Sequence, residues 1–164
     1  MQDKINNQQE MNTTMSTYKI IQNDQDFEKA KAMRVAIFVE EQGVPFEDEF
    51  DRFDVLDGAC QHILVYHEGE AVGTGRLRFV GDFGKLERIC ITKEYRKFGL
   101  GRVIIEGLEE TARQAGKTAF KLHAQVQASG FYKKLGYTEA SDIFDEDGIP
   151  HIIMEKKESV TAGI

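Results

Sequence analysis

Apolar residues change period several times along this chain. Residues 18–22 alternate well enough for a short strand. From about 24 to 40, Phe27, Ala30, Met33, Ile37 and Phe38 recur at helical spacing, with Asn23 or Asp24 as a cap. Residues 41–58 are acidic and irregular, broken by Gly43, Pro45 and Gly58, with room for a short helix near Asp48. Two strands follow over 61–67 and 70–80, turned at Glu68-Gly69, and a third over 85–91 after a turn at 81–84. Helical spacing returns over 101–116 through Ile104, Ile105, Leu108, Ala112 and Ala115, with Gly116 as the stop. Residues 118–125 predict a strand and 128–135 a short helix. The last strands are expected over 137–141 and 149–156, joined by 145–148.

That order predicts an α/β (α+β) fold, a mixed sheet with helices on its faces. One domain is expected over 17–158, between polar tails at 1–16 and 159–164. A 41% apolar content suits a real core, and no apolar run approaches the ~20 residues of a membrane span. Residues 1–12 are polar and lack the apolar stretch of an export signal, so a cytoplasmic location is expected. Cys60 and Cys90 form no C-x-x-C and are expected as small buried hydrophobes. The four histidines lack ligand spacing, so no metal is expected.

The net charge of −7 argues against a nucleic-acid partner. Residues 40–57 hold eight acids against Arg52, and residues 85–102 hold six bases against Glu87 and Glu94. Two solvated faces account for this. The sharper alternative is a cationic ligand near the first segment and an anionic one near the second.

The chemistry concentrates in Arg96-Lys97-Phe98-Gly99-Leu100-Gly101, a loop entering a helix. Unpaired N–H groups, the helix dipole and glycines without Cβ make such a loop a diphosphate cradle. Arg96, Lys97 and Arg102 add full charge. Taken alone, R-x-x-G-x-G fits equally a basic helix start with glycines for packing. It is neither a Walker loop nor a Rossmann fingerprint.

A strand Ile89-Cys90-Ile91 precedes this loop, and Phe131-Tyr132-Lys133-Lys134-Leu135-Gly136-Tyr137 follows one helix and one strand later. Together these blocks resemble the GNAT acetyltransferase superfamily over about residues 18–156. Arg34, residues 38–42, Asp51, Asp54, residues 123–125 and 148–151 resemble its ElaA/YjcF-like bacterial subgroup. Gln125 stands where the superfamily often has Asn.

The resemblance implies six or seven mostly antiparallel strands, splayed at an acyl-CoA site, with helices on both faces. It implies acetyl transfer from acetyl-CoA to a primary amine, on a small molecule or a protein lysine, and family members often form homodimers. The diphosphate would lie on Arg96, Lys97, Phe98, Gly99, Leu100, Gly101 and Arg102. The pantetheine arm would pair with Ile89, Cys90 and Ile91, and Tyr132 would protonate the leaving thiolate. Glu87 is the first candidate base, two residues before Ile89 on the same strand face, though it could equally partner Arg88 or Arg76. Glu41 and His123 stand behind it. Glu41, Gln42, His123 and Gln125 are the expected acceptor contacts. A non-catalytic acetyl-CoA sensor or interaction module is the alternative.

Overall fold

A computed structural model describes residues 16–158. The expectations for residues 1–15 and 159–164 lie outside the described residues. Eight strands occur: β1 (Ser16–Ile20), β2 (Cys60–His67), β3 (Glu70–Val80), β4 (Phe83–Ile91), β5 (Ala119–Gln125), β6 (Thr138–Glu139), β7 (Phe144–Glu146) and β8 (Ile149–Lys157). They form one sheet in the order β1-β2-β3-β4-β5-β8-β6, with β7 also on β8. Only β4 and β5 run parallel, because helix α3 (Gly101–Gln114) connects them as a crossover.

Alternation along β2 assigns the faces. Ile63 and Val65 join the apolar cluster under α3, and Leu64 joins the cluster under α1 (Asp24–Arg34). The sheet is therefore covered on both sides. Helix α3 lies close against it because glycines sit beneath. A Cβ on Gly84 would come 2.9 Å from Ala112 Cβ, and one on Gly75 would come 2.9 Å from Leu108 Cδ1.

Four local expectations change. Strand β1 already begins at Ser16, one residue into the expected tail. The expected helix over 24–40 stays α only to Arg34 and continues as a π-helix over Val35–Glu41, closed by the Gln42 N–H on Ile37 O at 2.9 Å. The expected strand over 137–141 shrinks to Thr138–Glu139, and Tyr137 is instead buried, its hydroxyl donating to Glu109 at 2.7 Å. The expected joint at 145–148 is partly strand. Strands β7 and β8 form a tight hairpin through Asp147 and Gly148, at φ 54° and 77°. Helix α2 (Phe46–Glu49) and helix α4 (Ser129–Lys134) complete the fold.

Candidate active site

The β4–β5 ladder ends at Leu86↔Leu122. Beyond it β4 stays with β3 as far as Gly73↔Ile91, and β5 stays with β8 as far as Gln125↔His151. The two strands part, and β4 presents an edge over Ile89–Ile91 with no ladder to β5. The β3–β4 register shifts between Thr74 and Arg76, opposite Arg88, whose φ is 51°. This bulge reverses the alternation. Leu86 belongs to the α3-side cluster, but Cys90, four residues on, belongs to the α1-side cluster. Glu87 and Ile89 consequently do not share a face. Ile89 packs against the α3 side, while Glu87 meets Arg76 on the other.

A cavity of about 390 Å³ occupies the parting. Gln42, Glu87, Ile89, His123, Gln125 and Tyr132 all line it. A second groove of about 660 Å³ runs along Tyr18, α3 and Lys134, away from these groups.

Much of the acidic segment turns inward on arginines. Arg34, 2% exposed, donates to Glu49 Oε2 at 2.8 Å, to Asp54 Oδ1 and Oδ2 at 2.5 and 3.1 Å, and to the Glu49 carbonyl at 3.0 Å. Arg76 donates to Asp51, Asp54 and Glu87. Arg78 and Lys85 also contact Glu87. Burial opposes the charged form of Glu87, yet hydrogen bonds from Arg78 and Lys85 and the charge of Arg76 outweigh it and hold the carboxyl at about 2. A carboxylate so held is a poor base near neutral pH, so the geometry makes Glu87 an anchor for three cations.

Acid should therefore weaken the fold. Glu87 and Asp54 both lie below their ordinary values when folded; for Asp54, burial is outweighed by Arg34, the Asp51 N–H and Arg76. Their contribution is complete above the unfolded carboxyl range, near pH 4.5, and is lost as pH falls through the folded values. Glu49, raised by burial despite Arg34, acts in the opposite direction. Urea midpoints should drop between pH 5 and pH 3, and the drop should be shallower in Glu87→Gln. An equal drop in both proteins would remove Glu87 from this account.

On the other wall, His123 Nδ1 lies 2.9 Å from Glu146 Oε1. His151 Nε2 lies 3.6 Å from Glu146 Oε2, and its Nδ1 is 2.7 Å from Ile149 O. Glu146 was not singled out in the sequence. The turn signal at Asp147-Gly148 could have found it, since a tight hairpin brings residue 146 back beside β8 and so near β5. Tyr132 packs edge-on to Phe131 and Tyr137, and burial pushes its phenol up to about 12.

The glycine loop is a 3₁₀ turn, Lys93–Phe98, ending at Gly99 in the left-handed region at φ 70°. Gly99 permits this turn without a Cβ penalty. Helix α3 then starts at Gly101 with no side-chain cap. A Cβ on Gly101 would sit 3.0 Å from Phe131 Cζ, so the two motif blocks touch here. Arg96 donates to Ile91 O at 3.0 Å and grips both oxygens of Glu41 at 2.5 and 2.6 Å. Glu41 thus faces the loop and does not line the cavity, whereas its neighbour Gln42 does. Lys97 lies over Phe98, which stacks on His67 at 4.5 Å, and Arg102 pairs with Glu106. Leu100 is buried beneath the loop, Ile91 packs on the α3 side, and Cys60 and Cys90 are buried free thiols.

Residues 23–158 match the family described as the acetyltransferase (GNAT) domain. A Bacillus subtilis protein named as an acetyltransferase is 59% identical over 140 residues, covering 85% of this chain and 95% of that protein. The uncharacterized N-acetyltransferase YjcF of the same organism is 43% identical over 138 residues, covering 84% and 96%. The crystal structure of Escherichia coli ElaA aligns with a TM-score of 0.77 at 25% identity, covering 87% of this chain and all of that one. With this match over residues 23–158, and with the parted strands and Tyr132 on one cavity, this chain belongs to the GNAT acetyltransferase family.

Proposed function

We propose that the protein transfers acetyl from acetyl-CoA to a primary amine by direct attack, at the cavity between β4 and β5. The observation that carries this is the free edge of Ile89–Ile91, opened where the β4–β5 ladder stops at Leu86↔Leu122. An amide-rich pantetheine arm can pair with such an edge as an added strand. The uncapped start of α3, with Arg96 to Arg102 around it, suits the diphosphate. Arg96 would exchange Glu41 for phosphate oxygens or share itself between them. A backbone N–H near Cys90 or Ile91 polarises the thioester carbonyl.

His123 is the base that the geometry supports. Glu87 is held by three cations and Glu41 by Arg96, whose hydrogen bonds lower its carboxyl. With Glu146 accepting from Nδ1–H, Nε2 of His123 keeps its lone pair. The ammonium nitrogen loses two protons overall. One leaves through His123 to solvent. The C–N bond forms, the C–S bond breaks, and Tyr132 gives the thiolate a proton that the second amine proton replaces.

Thiol release from acetyl-CoA with a panel of primary amines tests this reading. Saturable, amine-dependent release is expected, and binding of acetyl-CoA without any release would favour a sensor instead. His123→Gln should lower kcat near neutral pH by about 100-fold and remove the acidic limb of kcat/KM. A variant that keeps that limb excludes His123 as the base.

A further inference from the structure

Five cations and four carboxylates meet on the α1 side of β3 and β4: Arg34, Arg76, Arg78, Lys85 and Arg88 against Glu49, Asp51, Asp54 and Glu87. Four of the cations lie within 3.1 Å of a carboxylate oxygen. Arg88 is the exception. Its nearest carboxylate oxygen among the described residues is Glu49 Oε1, at 3.8 Å, beyond hydrogen-bond distance. That oxygen is itself buried and has no hydrogen-bond partner.

Arg88 also holds an unusual backbone. It is the bulge residue, at φ 51°, a region where glycine carries no penalty and arginine does. Strain of this kind marks positions where the side chain has a use. Arg88 lines the cavity, on the β4 wall, with its side chain one-quarter exposed. Across β5, the β7–β8 turn places Glu146 and Asp147 on the same cavity beside His123. One wall thus offers an unspent guanidinium and the other offers carboxylates and the proposed base.

We infer that the acceptor is an amine that also carries a carboxylate, such as a free amino acid, with Arg88 holding the carboxylate while the ammonium faces His123 and Glu146. This rests on the acetyltransferase reading above and adds the acceptor class to it. A guanidinium matches a carboxylate with two parallel N–H donors, and in a partly buried site that pair is strongly favoured. A polyamine would instead place a second ammonium near Arg88. The acidic segment does not rescue that alternative, because Glu49, Asp51 and Asp54 already serve Arg34 and Arg76.

The test uses matched acceptors: leucine with isoamylamine, phenylalanine with phenethylamine, β-alanine with ethylamine, and 1,3-diaminopropane as the dication. In each pair the second member lacks only the carboxylate. Wild-type protein should show kcat/KM at least about tenfold higher for the carboxylated member of one or more pairs. In Arg88→Gln that ratio should fall to about one, and Arg88→Lys should restore part of it. The ratio is insensitive to a general loss of folded protein. Transfer with no carboxylate preference, a diamine preference, or a preference that survives in Arg88→Gln overturns the Arg88 assignment and leaves the acetyltransferase reading standing. Absence of transfer to every amine overturns both.

Discussion

Tyr132→Phe should lower kcat by about 100-fold or more while acetyl-CoA affinity changes less than about twofold. The hydroxyl is the only group removed, and the ring contacts with Phe131 and Tyr137 persist. The phenol sits at about 12 because burial disfavours the phenolate, so it remains protonated through the working range. An ordinary thiolate, near 8.5, would be a weak acceptor for such a proton. Burial lifts thiols by the same cause, however: the Cys90 thiol, on the strand beside the cavity, is pushed up to about 12. Desolvation in the parting between β4 and β5 would raise a leaving thiolate in the same direction, toward the range of Tyr132. Steady-state kinetics with isothermal titration of acetyl-CoA separates the two quantities. Unchanged turnover in the variant would assign Tyr132 to packing alone.

Arg34→Met should cost about 3–5 kcal/mol of folding stability, the largest effect expected of any single change here. The substitution leaves Glu49 and Asp54 buried without the guanidinium that supplies four hydrogen bonds. Arg76 still reaches Asp54, but among the described residues nothing else donates to the Glu49 carboxylate, and Arg88 remains 3.8 Å away. Adding Glu49→Gln to Arg34→Met should recover part of the loss, since the uncompensated charge disappears. Urea unfolding of the single and double variants measures both. A cost below about 1 kcal/mol would mean that water enters and solvates the pair. The functional consequence follows from position: Arg34 ties down the segment that carries Asp51 and Phe53 to the cavity wall.

The motif residues were legible because their requirements are local. Gly99 needs a left-handed turn, Gly101 needs room for Phe131, and the spacing of Ile104, Ile105 and Leu108 forms a helix whatever lies around it. The expected face of Glu87 was not legible in the same way. Counting by twos from Ile89 assumes a regular strand, and nothing at Arg88 announces a bulge, since glycine is the residue that would signal one. Glu41 and Glu146 were similarly hidden. Glu41 sits where a π-helix adds to the helical turn and aims it at Arg96, and Glu146 acquires its role from a histidine 23 residues earlier in the chain.

By itself the sequence determined the order of helices and strands, the covered two-faced sheet and the two motif blocks that identify the family. Those depend on side-chain periodicity and backbone freedom over a few neighbouring residues. The tertiary structure alone decided which charges are already spent. Arg34 meets Asp54 across 20 residues and Arg96 meets Glu41 across 55. Coulomb attraction falls with distance in space, not along the chain, so only the folded molecule shows which carboxylates are already held by cations and that Arg88 lies 3.8 Å from its nearest one among the described residues.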